Sequence, residues 1–276
     1  MDRHYATTHC SLRKGLITLI ASDMRNLPYI PLFLISLLAG QAFPRSAQGQ
    51  MQPYSPLEIL FEEGAFTFTQ TERALITEIV ESSERDIRVL LPTLPRQLRI
   101  TLGIIDRNID IVDGATGRSE AHSPVGDVRI ELSNVFPGGL SGAARAGLRT
   151  VMYHELHHVA RGWTLNGNRF GPGIPTAAVN EGLAVVFAEI YTGNRQEGNS
   201  YPPETDAWVR EILALPKRAD YSKWVSGVHP DGRTFIGYRA GNYIVRQALL
   251  RSGKDILELS EMTPEAILAL AGYPAP

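Results

Sequence analysis

The stretch from Gly142 to Arg161 leaves this chain few ways to fold. Read as a helix turning about 100° per residue, it places Ala144, Val151, Met152 and Val159 within about 60° of Leu148. That apolar stripe must be buried. The run His154-Glu155-Leu156-His157-His158 lies in the same helix. Glu155 falls inside the stripe, and His154 and His158 lie on its flank, one turn apart. His157 projects to the opposite side and is expected in solvent. A carboxylate and two imidazoles at the edge of a core need partners of opposite character.

A second helix is expected from Thr176 to Tyr191, ending at Gly193-Asn194. Its run Leu183-Ala184-Val185-Val186-Phe187-Ala188 is apolar nearly all round, so it belongs at the centre of the molecule. Glu181 stands in that buried element, between Asn180 and Gly182. It follows His158 across a loop (Gly167 to Pro175) and a helix return, and Gly182 permits close helix approach. Two imidazoles one turn apart and one carboxylate as third ligand are the donor set of a catalytic zinc site, which keeps one position open for water. His154, His158 and Glu181 are therefore the expected ligands of one zinc ion. Glu155 is the expected general base for a metal-activated water attacking a peptide bond. A developing oxyanion needs a donor opposite the metal, for which Tyr238 and His229 are candidates. Tyr238 is taken as the second catalytic residue.

The pairing of His154-Glu155-Leu156-His157-His158 with Asn180-Glu181-Gly182-Leu183-Ala184 resembles the gluzincin arrangement of zinc metallopeptidases. It is similar, more narrowly, to a bacterial family of predicted zinc-dependent proteases, which joins a His-Glu-x-x-His-His helix to a Glu-Gly-Leu-Ala helix. Gly237-Tyr238-Arg239-Ala240-Gly241-Asn242-Tyr243-Ile244-Val245 resembles a later helix of that family. The resemblance spans roughly residues 140–272 and implies zinc, peptide hydrolysis and a zincin-like α+β fold. In that fold a strand before the active helix pairs with extended substrate, and the strand near 127–134 is the expected one. The chain departs from many gluzincins four positions after the third ligand, where Val185 stands instead of an acidic residue. The partner that orients a ligand imidazole must then come from elsewhere. Glu189 is one candidate.

The rest of the chain fits an α+β class: a small, mostly antiparallel sheet packed on the active-site helix, with a mainly helical C-terminal half. A helix is expected over Thr71 to Leu91, and strands over Gln97 to Ile105, Ile109 to Val112 and Asp127 to Val135. Asp113-Gly114 and Thr116-Gly117 read as a Gly-rich turn after the second of these strands. Ser141 is the expected N-cap of the motif helix. Further helices are expected over Glu204–Leu215, Arg233–Arg251 and Thr263–Leu270, the last capped by Thr263 with Pro264 at its first position. Asp106, Asp110 and Asp113 lack the spacing of a calcium loop and read as turn residues.

Leu27 to Gly40 is an uncharged apolar run, too short for a comfortable membrane span. With Met24-Arg25-Asn26 before it and small residues after it, residues 1–49 read as a secretory signal peptide. Met24 is the expected start. Residues 50–276 are expected to form one domain, exported to the periplasm or secreted; the alternative is an anchor left uncleaved. The leader holds five of the 27 basic and two of the 29 acidic residues, so the remainder, with 22 basic and 27 acidic, is net −5. That argues against a nucleic-acid partner. The single cysteine, Cys10, lies in the leader, so cysteine chemistry is excluded from the domain. The expected partner is a peptide or protein substrate. Two other readings fit the same residues: a zinc-binding scaffold without catalysis, and a hydrolase of a non-protein amide.

Overall fold

A computed structural model describes residues 56–274. The expected leader, residues 1–49, and the expected start at Met24 lie outside the described residues. Among those described, no helix is long and apolar enough to cross a membrane.

The fold is α+β, with a four-stranded sheet followed by a mostly helical C-terminal half. Strand β1 (Leu57–Phe61) leads to helix α1 (Gln70–Leu90), which starts at a Thr69–Glu72 capping box. Strands β2 (Leu98–Ile105), β3 (Ala115–Ala121) and β4 (Gly126–Ser133) complete the sheet in the order β1-β2-β4-β3. The sheet is mixed rather than mostly antiparallel: β1 and β4 both run parallel to β2, and only β3 is antiparallel to its neighbour. The alternation of Val128, Ile130 and Leu132 with Asp127, Arg129 and Glu131 reports one buried face, not strand direction. Direction is set by the connections, and α1 carries the chain back so that β2 starts at the same end as β1.

Two expected local features change. Asp110–Val112 is a 3-10 turn, and the strand comes after it, where Thr116 and Gly117 were read as turn residues. The motif helix begins earlier than Ser141. Helix α2 (Gly139–Ala143) starts after Gly138, whose φ of 83° turns the chain into it. A π-helical segment (Ala144–Leu148) joins it to α3 (Arg149–Arg161), with Gly147 pressed against the Asp113 carbonyl.

Helix α3 packs on β3, β4 and α1 from one side and on α4 (Ile174–Thr192) from the other. From Ile174 to Ala188 every residue of α4 is buried, as its uniform apolarity requires. Around α4 gather α5 (Thr205–Leu213), α6 (Ile236–Ser252), α7 (Ile256–Ser260) and α8 (Pro264–Ala271). α8 is capped by Thr263 with Pro264 in its first turn, as expected. The tightest pairing is α4 with α6, where Gly182 and Gly241 meet and a Cβ on either would overlap the facing backbone.

Candidate metal centre

His154 and His158 project from one face of α3 toward α4 and meet Glu181. The two Nε2 atoms lie 2.9 Å apart. Glu181 Oε2 is 3.2 Å from His154 Nε2 and 3.1 Å from His158 Nε2. A point about 2 Å from all three atoms lies just off their plane, the distance zinc takes from imidazole and carboxylate. Two imidazole nitrogens facing each other and one carboxylate oxygen cannot all be matched by the protons they carry, since each neutral ring has one N–H. A divalent cation satisfies all three. The donor set thus fits the ion that the sequence implies. Among the described residues, these three form the cluster of histidine and acidic side chains able to hold a metal.

Electrostatics agrees with the geometry. Burial works to raise the Glu181 carboxyl, but the imidazoles of His158 and His154 hold it well below the usual carboxylate range. Glu155, one position from the first ligand, is buried and goes the other way. Burial pushes its carboxyl up to about 7, with Glu181 adding to the rise and His154 and Ser119 opposing it. The two carboxyl groups of the site are thus shifted in opposite directions, Glu181 down and Glu155 up.

The other oxygen of Glu181 is held separately. Trp163 Nε1 donates to Oε1 at 3.0 Å, and the Tyr221 hydroxyl donates to the same atom at 3.2 Å. Trp163 gets its place from the end of α3. Gly162, at φ 76°, closes the helix, and the Trp163 N–H donates back to the His158 carbonyl at 3.0 Å. Tyr221 stands at the head of a π-helical turn (Ser222–Ser226), fixed by the Asp220 carboxylate accepting from the Ser222 N–H. Tyr238, from the first turn of α6, lies with its ring 6.0 Å from that of His154 and nearly parallel to it. Burial and the neighbouring Glu181 carboxylate raise its hydroxyl well above the usual range.

Ser119 of β3 reaches Glu155. Its Oγ is 2.8 Å from the Glu155 carbonyl oxygen and 2.9 Å from Oε2. Gly117, two residues earlier on the same strand, lies so near that a Cβ there would be 2.7 Å from Glu155 Cγ. A cavity of about 310 Å³ bounded by Ile111, Val151 and Phe235 opens on one side of Glu155 and Tyr238. A cleft of about 550 Å³ bounded by Trp163, Glu181 and Tyr221 opens on the other.

Several expectations need correction. His157 is not in solvent: it is fully buried, with its ring 5.1 Å from Phe187 and Nε2 2.9 Å from Ser260 Oγ. The projection assumed one buried face, but α3 is enclosed by the sheet and α1 on one side and by α4 with the C-terminal helices on the other. His229 is not at the metal centre. It sits in a turn with Nδ1 2.9 Å from Asp231 and its ring 4.4 Å from Trp224. Strand β4 pairs with β2 and β3 on its two sides, so it has no free edge for a substrate. The outer strand beside Glu155 is β3. Glu189 touches no ligand histidine and is bound by Arg195 and Arg246; the buried His158 Nδ1 has no hydrogen-bond partner among the described residues.

Sequence reading also missed Ser119, Trp163 and Tyr221. Trp163 carried a signal, since it directly follows the glycine that ends the motif helix. Ser119 was hidden by the turn reading of β3, and Tyr221 lies in an irregular segment with no periodicity to follow.

The family whose description is Predicted Zn-dependent protease (DUF2268) matches the chain over residues 140–269, a little under half of it. No curated protein and no solved structure matches the chain. The family match covers the ligand-bearing helices α3 and α4 and most of the helices packed on them, so the chain is similar to predicted zinc-dependent proteases in the part that builds the candidate centre.

Proposed function

We propose that this protein is a zinc-dependent peptidase of the gluzincin type, hydrolysing peptide bonds with Glu155 as general base. The observation that carries the proposal is the convergence of His154 Nε2, His158 Nε2 and Glu181 Oε2 within 3.2 Å of one another, with Glu155 buried beside them. One ion held by these atoms would polarise a substrate carbonyl and lower the pKa of water. The chain's own residues supply the rest. Glu155 takes a proton from the attacking water and returns it to the leaving nitrogen, so the proton balance closes within the site. Ser119 holds Glu155 Oε2, while Oε1 faces Gly117 on the outer strand. Tyr238 lies against His154 with a hydroxyl kept neutral, the form that can donate to a developing oxyanion. An extended substrate would lie along the Ala115–Arg118 part of β3, since Leu165 and Asn166 already donate to the Ser119 and Glu120 carbonyls, with the cavity and the cleft on either side of the reacting bond.

The net charge of −5 for residues 50–276 favours a peptide or protein substrate over a nucleic acid. The leader pattern favours work outside the cytoplasm. Incubation of the zinc-loaded full chain with an unstructured protein tests the reading. Cleavage that a chelator stops, and that Glu155→Gln loses while still binding one zinc, is the expected result. Bound zinc with intact substrate would point instead to a scaffold, or to a non-protein amide as substrate. Zinc stoichiometry near zero would end the proposal.

A further inference from the structure

The two oxygens of Glu181 have different jobs, and this goes beyond the three-ligand pattern. Oε2 faces both imidazoles, at 3.2 and 3.1 Å. Oε1 faces neither, and takes the indole N–H of Trp163 at 3.0 Å and the hydroxyl of Tyr221 at 3.2 Å. A carboxylate free to rotate about its last bond can offer a cation one oxygen or both. Two donors on one oxygen remove that freedom, since turning Oε1 toward the ion breaks both hydrogen bonds.

The donors come from unlike elements. Trp163 is fixed through the helix end that follows His158, so it moves with the histidine ligands. Tyr221 enters from the segment before the Ser222–Ser226 turn. Its residue is 44% exposed, yet its hydroxyl is turned inward onto Glu181. Trp163 is half-buried, with its ring 6.4 Å from Phe170. Both side chains line the open cleft, and Trp163 also packs against the edge of the hydrophobic core. Their common feature is Oε1.

We infer that Trp163 and Tyr221 are positioning residues that clamp Glu181 as a one-oxygen ligand, leaving room at the ion for water and substrate. This rests on the zinc site proposed above. Without the clamp, Glu181 can swing both oxygens toward the ion and close the space its substrate needs.

The test is the full chain carrying Trp163→Phe or Tyr221→Phe, which keep an aromatic side chain and delete the donors. Zinc affinity is measured by competition with a chromogenic chelator, the visible spectrum is recorded with Co²⁺ in place of zinc, and the metal-free protein is melted. The expected result is a zinc Kd changed by about 10-fold to 100-fold, the range for groups that orient a metal ligand. Co²⁺ absorption should weaken as a ligand oxygen is gained, and the metal-free Tm should stay as in the parent. Both variants binding zinc within threefold of the parent with an unchanged Co²⁺ spectrum would overturn the clamp while leaving the zinc site standing. A metal-free Tm that falls without any spectral change would overturn it too, since the two residues would then be packing only. A parent chain that binds no zinc would remove the site and the clamp together.

Discussion

His157 Nε2 and Ser260 Oγ lie 2.9 Å apart, joining the motif helix to α7 across 103 positions of sequence. Arg161, one turn further along α3, reinforces the tie by donating to the carbonyls of Ser260 and Met262 and to Asn180 Oδ1. The middle histidine of the motif thus belongs to the scaffold and not to the metal. His157→Ala should cost about 2–4 kcal/mol by emptying a fully packed site, lowering Tm by roughly 5–15 °C for a domain of this size. Zinc should still bind at one ion per chain. A loss of zinc stoichiometry equal to that of His158→Ala would contradict the assignment.

Metal removal should be visible as stability. At a free zinc concentration 100 times Kd, binding to the folded state adds about 2.7 kcal/mol, or roughly 5–10 °C in Tm. A chelator should reverse the gain, and His158→Ala should not show it. Calorimetry with and without zinc reads both.

Ser119→Ala deletes the hydroxyl beside Glu155 Oε2. Loss of a hydrogen bond to a group that carries charge in the reaction is worth about 1.5 kcal/mol or more, so kcat/KM on a peptide substrate should fall about 10-fold or more. Zinc Kd should remain within twofold of the parent. A variant as active as the parent would free Glu155 from dependence on β3.

Gly117→Ala tests the same junction from the opposite direction, by adding atoms. The new Cβ would meet Glu155 Cγ at 2.7 Å and Val151 Cγ1 at 2.9 Å. Overpacking of this kind typically costs about 1–3 kcal/mol, and the displaced side chain here is the proposed base. Activity should fall at least about 10-fold while the protein still melts cooperatively. Equal activity would show that Glu155 can give way without losing its role.

Much of the candidate site was legible because helices repeat. A spacing of four put His154 and His158 on one face, and a uniformly apolar run marked α4 as central, so Glu181 became a buried carboxylate in need of partners. Irregular elements were less legible. β3 begins with Ala115-Thr116-Gly117, residues that suit a turn as well as an outer strand, and only its pairing with β4 decides between them. His157 was misplaced because a helical projection resolves one buried face, and α3 has two. Strand direction escaped because residue alternation is the same in parallel and antiparallel pairs when one face is open.

The contact between Gly182 and Gly241 ties the wall of the site to the spacing of two core helices. Gly182 is next to Glu181, and Gly241 is one turn along α6 from Tyr238. The gap across which the carboxylate and the phenol face each other is therefore dictated by two side chains that consist of a hydrogen atom. Anything larger at either place would push α4 and α6 apart as rigid bodies and carry Tyr238 away from the ligands. Core packing and chemistry in this protein cannot drift independently, because at this point they share one ruler.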